Sequence, residues 1–236
     1  MKCRIDHPLG EIEVTRKRIR NLYLRLGETP DSLRVSVPAR LSDAEIRAFV
    51  TARAEWIRRQ REKIARRPPG WDTGSLPESI HLLGQHHALK AARDPELRPG
   101  KATVCTQGDR LVITSRDGDM SSIRAALRSH CRSLLDRTLR DRLPQWTDRM
   151  GLPLPEHRIR RMKTRWGTCN IRDRRIWLNL ELARMPVEVI DLVVVHELAH
   201  LIERGHNARF YAVMDRHYPA WREHEPALER YGIVGL

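Results

Sequence analysis

The feature that most constrains this sequence is an apolar run that ends in two histidines and a glutamate. Pro186 fits the first turn of a helix, where its missing N–H leaves no bond unmade. The residues at 189, 190 and 192–195 are all valine, isoleucine or leucine. A helix that is apolar almost all round is buried, so the pattern predicts an interior helix over residues 187–204, ended by Gly205.

The histidines and the glutamate have the spacing of a catalytic metal site. His196 and His200 are four residues apart, so on a helix both imidazoles can reach one zinc ion. Glu197 is turned by about 100° from His196 and can take a proton from a zinc-bound water. Such a site needs a third protein ligand and leaves the fourth position to water. We predict His206, because Gly205 lets the chain turn back.

Other residues compete for the third position. Glu203 shares the helix face of both histidines, but three ligands from one straight turn would strain a tetrahedral site. We therefore expect Glu203 to lie beyond the ligands or to face solvent. His217 and His224 are weaker alternatives. The alternative without a metal is that His196 and His200 are surface histidines that pair with a neighbouring carboxylate, Glu203 or Asp191.

The rest of the chain reads as an α+β protein. Alternating apolar residues predict half-buried strands around residues 12–14, 22–26 and 33–37. We expect two hairpin-like segments around residues 80–92 and 103–114, and further strands at residues 158–162 and 175–180. Helical spacing predicts helices over residues 42–67, 122–150, 187–204, 208–215 and 220–230. Ser42 and Glu45 form a capping box at the start of the first helix, and Asn207 can cap the fourth. We detect no internal repeat.

These elements suggest two regions. Residues 1–118 form a β-rich N-terminal region of antiparallel strands with the helix over 42–67. Residues 119–236 form the catalytic region, in which the motif helix packs on a small sheet. The length of 236 residues suits this division.

The basic charge of the chain has two interpretations. Lys and Arg outnumber Asp and Glu by 14, and only six of the 44 basic residues are lysines. A polyanion partner such as a nucleotide or nucleic acid would explain this charge. We favour a solvated surface rich in arginine, because arginines are spread from Arg4 to Arg230, whereas nucleic-acid readers concentrate their charge.

Cysteine spacing and hydropathy argue against several other classes of protein. The four cysteines are scattered and form no C-x-x-C pair, which argues against a zinc ribbon or a disulfide framework. No apolar run reaches the ~18 residues that span a bilayer, so we expect no membrane partner. The first ten residues lack the apolar core of a secretion signal. We therefore expect a cytoplasmic protein; the sequence does not fix its oligomeric state.

Several segments match one known family. They are residues 193–200 with His206 and Phe210, residues 165–169 (RWGTC) and residues 176–179. Together they resemble the YgjP-like metallopeptidase domain, a relative of the SprT-like zincins, over residues 10–231. The resemblance implies a zincin-like catalytic region, with zinc on the three matching histidines and Glu197 as base. Thr168 stands where serine is usual, and Glu203 replaces the glycine of metzincins.

We expect metal-assisted hydrolysis of a peptide or protein. The strand around residues 176–179 would hold the substrate by β-augmentation. The candidate substrate-binding residues are Trp166, Trp177, Asn179 and Tyr211. For both tryptophans we favour an ordinary core position, and for Tyr211 a core role over oxyanion stabilisation.

Other functions stay open. The same metal centre could hydrolyse nucleoside triphosphates, with arginines on the phosphates. It could also belong to a DNA-associated SprT-like protease or to a non-catalytic zinc module. Zn²⁺ is the expected cofactor, although imidazoles also accept manganese or nickel.

Overall fold

The structure, a computed structural model, describes residues 2–26, 32–65, 76–162 and 164–231. Its residues divide into two compact units, Met1–Arg67 and Pro68–Leu236. The strands are β1 (Lys2–Ile5), β2 (Ile12–Lys17), β3 (Tyr23–Leu26), β4 (Leu33–Pro38), β5 (Ser79–Leu82), β6 (Gln85–Arg93), β7 (Ala102–Gln107), β8 (Arg110–Ser115), β9 (Glu156–Arg160), β10 (Gly167–Asn170) and β11 (Arg175–Asn179). The helices are α1 (Asp43–Thr51), α2 (Ala54–Ala65), α3 (Met120–Met150), α4 (Val187–Ala199), α5 (Ala208–His217) and α6 (Trp221–Tyr231), with a short 3-10 helix at Leu180–Arg184. The mixed content confirms the α+β class.

The first unit is a sheet with its own helices. The strand order is β1-β2-β4-β3, with β2 and β4 parallel and both outer pairs antiparallel. Alternate residues of β2 and β4 are buried and pack with apolar residues of α1 and α2. The capping box is present, because Ser42 and Glu45 bond reciprocally.

The predicted helix over residues 42–67 is two helices. Arg53 N donates to Val50 O at 3.0 Å, an i→i−3 bond that interrupts the α-helical register between α1 and α2. The predicted end near Arg67 and most of the predicted loop over 68–79 lie outside the described residues.

The second unit begins with a sheet of the same topology. Its order is β5-β6-β8-β7, again with a parallel central pair and antiparallel outer pairs. In both units the sheet is followed by a capped helix, since Asp119 accepts hydrogen bonds from Ser121 N and Ser122 N at the start of α3. The four-strand arrangement is therefore repeated, although we detected no repeat in the sequence.

The helix α3 ties this second sheet to the rest of its unit. It contacts β7, β8, the 3-10 helix and α4, and its buried stripe includes Leu127, Leu135, Leu139 and Leu143. These contacts place β5–β8 in the same unit as α4, so the division between the units falls at Arg67, whereas we had proposed a boundary at 118.

A third, three-stranded sheet adjoins the apolar helix α4. The order is β10-β11-β9, and β11 is antiparallel to β10 and parallel to β9. The helix contacts β10, β11, α5 and α6. Its Asp191 is buried and accepts from Arg142 Nε and Trp146 Nε1, each at 2.8 Å, which anchors α4 to α3. None of the helices that the structure describes has the length and apolar character needed to cross a bilayer.

Candidate metal centre and active-site cavity

Three histidine rings converge at the end of α4. His196 lies in the last turn of the helix, His200 is its C-terminal cap, and His206 follows on the turn before α5. One nitrogen of each ring lies within 4.8 Å of the others, and the Nε2 atoms of His196 and His206 are 3.1 Å apart. Phe210 packs against all three rings, with centroid distances of 4.7 to 5.0 Å.

The chain reaches this arrangement because α4 ends earlier than the sequence predicts. Leu201 N donates to Leu198 O and Ile202 N to Ala199 O, so the helix tightens after Ala199 instead of continuing to Arg204. The carbonyl oxygen of Glu203 lies 3.2 Å from His200 Nδ1, within hydrogen-bonding distance. This contact leaves the other ring nitrogen of His200 to face the cluster.

The carboxylate of Glu203 is engaged elsewhere. Its Oε1 accepts from Asn207 Nδ2 at 3.3 Å, and its Oε2 lies 3.7 Å from Arg209 Nε. Among the described residues, the cluster that could hold a metal ion contains His206 and not Glu203.

The donor set fits a metal ion such as zinc. Burial, reinforced by His200 and His206, lowers the pKa of His196 to about 4. Burial also lowers the pKa of His200, so both rings have free lone pairs at neutral pH. Two ligands at about 2.0–2.1 Å from one tetrahedral ion are about 3.3 Å apart, close to the 3.1 Å between His196 and His206. Neutral imidazoles bind zinc, copper, iron and nickel.

Glu197 lies beside the triad, pressed against strand β10. It is 5% exposed. A Cβ atom added to Gly167 would lie 2.5 Å from Glu197 Oε1 and 2.7 Å from its Cγ, so only glycine leaves room for this carboxylate. Burial raises the pKa of Glu197 to about 8, and the charge of Arg165 opposes the shift. A carboxyl group in this environment has a high affinity for a proton.

Asn179 fixes the segment that leads to Gly167. It is fully buried, and its Nδ2 donates to the carbonyl oxygens of Met162 and Arg165, each at 2.8 Å. Its backbone N–H donates to Trp166 O at 2.8 Å. The amide of Asn179 is therefore used to hold the backbone before β10, a role different from the substrate binding that we predicted.

A cavity of about 710 Å³ opens onto the triad and Glu197. Of the candidate substrate-binding residues, Trp166 and Tyr211 line this cavity. Neither Trp177 nor Asn179 is among the described residues that line it. The Trp177 ring lies instead beside the guanidinium groups of Arg158 and Arg160, at 5.5 and 4.9 Å.

Sequence reasoning missed several cavity residues. Gly167 is one, and a glycine inside a strand is a known signal of close approach. Three others, Trp221, Glu225 and Leu228, lie on α6. Their i, i+4, i+7 spacing marked one helix face, but nothing local showed that this face adjoins the histidines.

The thiol of Cys169 also lines the cavity, next to Glu197. Burial, followed by the nearby Glu197 charge, raises the pKa of Cys169 to about 11. The thiol is therefore protonated at neutral pH and is a poor nucleophile.

The strand nearest the cavity is β10 and not β11. We expected residues 176–179 to bind an extended peptide, but β11 is hydrogen-bonded on both sides, to β10 and to β9. A strand with two partners has no free edge. In the described part of the chain β10 has β11 as its one partner strand, and its Gly167, Thr168 and Cys169 line the cavity.

Comparison with known proteins assigns the chain to the metallopeptidases. The family model of the YgjP-like metallopeptidase domain matches residues 20–231. The chain therefore belongs to the YgjP-like metallopeptidase domain family.

Among solved structures, the metallopeptidase zymogen of Pyrococcus abyssi abylysin aligns at 24% identity, over 38% of this chain and 90% of that chain, with a TM-score of 0.36. That score is too low to carry details of its fold over to this chain. Comparison with curated proteins gives no match.

Proposed function

We propose that the chain is a zinc-dependent peptidase with a zincin-like catalytic region. In this proposal His196, His200 and His206 hold the ion, and Glu197 is the general base. The observation that carries the proposal is the convergence of three ring nitrogens in the cavity that the buried carboxylate of Glu197 also lines. Three protein ligands leave one coordination position open, which distinguishes catalytic from structural zinc sites.

In this proposal the metal ion and the residues around it have different roles in the reaction. A divalent ion bound by three imidazoles supplies Lewis acidity that activates water and polarises a carbonyl oxygen. A bound divalent cation would favour the ionised form of Glu197, whose carboxylate would take the proton from the attacking water and later deliver it to the leaving amine. Gly167 leaves the space in which this carboxylate lies. Asn179 holds the backbone before Gly167, because its side-chain amide donates to Arg165 O and its backbone N–H donates to Trp166 O.

The open edge of β10 is the proposed binding surface for the peptide backbone. An extended peptide can add to a free strand edge through main-chain hydrogen bonds. Because Gly167 contacts Glu197 and lies at the start of β10, a peptide on this edge would pass next to the base. This replaces our expectation that β11 binds the substrate.

Substitution of Glu197 tests the mechanism. Glu197→Gln keeps the shape of the side chain and removes the base, so we expect peptidase activity on unfolded casein to fall by about 10²–10⁴-fold. Zinc content, measured by elemental analysis, should stay the same. Glu188→Gln is the matched control, because Glu188 is an exposed glutamate in the first turn of the same helix. Full activity in Glu197→Gln would refute the proposed role.

Two arginines in the cavity support a second candidate function, that of a phosphohydrolase. Arg165 and Arg204 both line the cavity, and guanidinium groups bind phosphate oxygens well. Release of phosphate from nucleoside triphosphates by the wild type, but not by Glu197→Gln, without peptide cleavage would replace the peptidase proposal. Salt-sensitive binding of DNA would instead support a DNA-associated protease.

A further inference from the structure

We propose that α5 and α6 form a subsite for a bulky apolar side chain of the substrate, with Tyr211 as its exposed wall. We call this part of the cavity the α5–α6 subsite; its residues are Tyr211, Met214, Trp221, Glu225 and Leu228. The inference rests on the proposed peptidase function for the identity of the ligand. Its chemical preference follows from the side chains themselves.

One face of α6 is directed to the cavity that holds the histidines. Trp221, Glu225 and Leu228 are spaced i, i+4 and i+7, so they share one side of the helix, and all three line the cavity with His196 and His206. From α5, Tyr211 and Met214 line the same cavity. A ligand that reaches the metal centre therefore has an aromatic and aliphatic wall beside it.

The position of the Tyr211 ring is fixed from behind. It stacks on Trp221 with a centroid distance of 5.7 Å and an interplanar angle of 18°. Trp221 is itself held, because its Nε1 donates to Asp215 Oδ1 at 2.7 Å and the Arg222 guanidinium lies 4.3 Å from its ring. Trp221 is 8% exposed. The indole N–H is thus satisfied within the protein, and the stack offers a rigid apolar surface.

The Tyr211 side chain is exposed to solvent. It is 40% exposed although it belongs to the stack. Ligand pockets are typically lined by apolar and aromatic side chains with a few polar groups, and a preplaced aromatic ring contributes contact area with little loss of side-chain entropy. A bulky apolar side chain of the substrate would cover this exposed ring.

The charges around the cavity further restrict what enters the subsite. Glu225 lies between Trp221 and Leu228 on the lining face of α6. The lining arginines, Arg165 and Arg204, lie outside α5 and α6, before β10 and after α4 respectively. An acidic side chain in the α5–α6 subsite would meet the like charge of Glu225, so the subsite favours an apolar residue over an acidic one.

Binding of matched peptides tests the subsite without catalysis. The probes are peptides that are identical except for Phe, Ala or Asp at one position, titrated calorimetrically into zinc-loaded Glu197→Gln protein. The position is scanned along the peptide. At one position we expect Phe to bind about tenfold more tightly than Ala, the scale of apolar pocket discrimination, and Asp to bind most weakly.

Two variants and one control locate the effect. Tyr211→Ala removes the exposed wall and should reduce the preference for Phe over Ala to less than about threefold. Leu228→Trp fills the pocket and should weaken binding of the Phe peptide but not of the Ala peptide. Tyr23→Ala is the control, because Tyr23 is a 52% exposed tyrosine on β3 of the first unit, and should keep the full preference.

The outcomes separate this inference from the proposed function. Equal binding of Phe and Ala peptides at every position, or a preference that survives both Tyr211→Ala and Leu228→Trp, overturns the subsite. Mass-spectrometric mapping of cut sites in an unfolded protein should show bulky apolar residues at one fixed distance from the cut. A Tyr211-dependent binding preference without Glu197-dependent cleavage would support the subsite and refute the peptidase proposal.

Discussion

The two four-stranded sheets of this chain have the same strand order and very different surroundings. The sheet of the first unit packs on α1 and α2, and its core draws on residues from Ile5 to Ile57. The sheet of the second unit shares a core with α3, the motif helix α4 and α5, and this core extends from Ile80 to Trp221. The same strand order thus belongs to a small core in one unit and, in the other, to the core that supports the histidine cluster.

Because of this difference, we expect substitutions of buried residues in the two units to have different effects. A buried side chain in the first unit stabilises that unit, because its core cluster, as far as the structure describes it, holds no residue of α4. A buried side chain of β5–β8 or α3 belongs to the cluster that also contains Val193 and Leu198 of the motif helix. We therefore expect substitutions in the second unit to change stability and activity together, and those in the first unit to change stability alone.

Loss of the buried Asp191 should have the largest effect. Asp191→Ala removes the acceptor that the partly exposed Arg142 shares with the buried Trp146 N–H. Two hydrogen bonds to a buried charged acceptor contribute about 1.5–3 kcal/mol each, so we expect a loss of about 3–5 kcal/mol. Denaturant unfolding followed by amide hydrogen exchange should show the loss in the second unit only.

The control for this variant is Asp136→Ala. Asp136 is partly exposed and pairs with Arg140 on α3 and, at 3.6 Å, with His157 on β9, and such solvent-accessible pairs contribute only about 0.2–1 kcal/mol each. Equal loss of amide protection in both units of Asp191→Ala would show that the two cores do not behave separately.

A matched pair of leucines compares the two sheets directly. Leu33 opposes Ile12 across the parallel pair β2–β4, and Leu111 opposes Leu89 across the parallel pair β6–β8. Leu33 and Leu111 are fully buried. Each leucine-to-alanine change should destabilise its unit by about 3 kcal/mol. The temperature at which peptidase activity is lost should fall for Leu111→Ala and stay unchanged for Leu33→Ala. An equal fall in both variants would contradict the distinction.

Gly167→Ala should reduce activity with little change in either core. The added methyl group would collide with Glu197 Oε1 at 2.5 Å and displace the proposed base, so we expect kcat/KM to fall about 100-fold, or about 2.7 kcal/mol. Zinc content should not change. Gly205→Ala is the control near the same site, since its nearest neighbour would be Asn207 Nδ2 at 3.9 Å. Normal activity in Gly167→Ala would remove the steric argument.

The smallest expected effect is a change in how the free energy of unfolding depends on pH. Hydrogen bonds from Ser42 lower the pKa of Glu45 in the first unit, and hydrogen bonds from Ser121 and Ser122 lower the pKa of Asp119 in the second. A carboxylate with a lowered pKa stabilises the fold above its unfolded value of about 4, and this contribution is lost as the pH falls through the folded value.

Glutamine at position 45 separates the two caps. Glu45→Gln should lose stability at pH 7, and its difference from the wild type should shrink at pH 3. Amide exchange should place this change in the first unit, and Asp119→Asn should behave in the same way in the second. A difference that grows on acidification would contradict the sign of these pKa shifts.

Local features of the fold could be predicted from the sequence. The Ser42–Glu45 box, the Asn207 cap and the strands β2, β4 and β8 each depend on neighbours within a few residues, so the pattern contains the information. The same holds for His196, Glu197 and His200, since the spacing of a helical turn brings them together.

Features that depend on distant pairing could not be predicted in this way. The central place of β11 follows from its parallel pairing with β9, and the repeated topology follows from the parallel pairs β2–β4 and β6–β8. No local pattern records which strands pair. The buried role of Asn179 was missed for the same reason, because its partners Met162 and Arg165 lie 14 or more residues away.

The hairpin between β5 and β6 has a consequence for how this protein can be engineered. Its turn residues Leu83 and Gly84 both have positive φ, and a Cβ on Gly84 would lie 2.9 Å from Pro186 Cγ, at the entry to α4. A fluorophore or peptide tag inserted there would displace the start of the motif helix. The turn at Gly108, where an added Cβ meets nothing within 4 Å, is the better attachment point for a reporter.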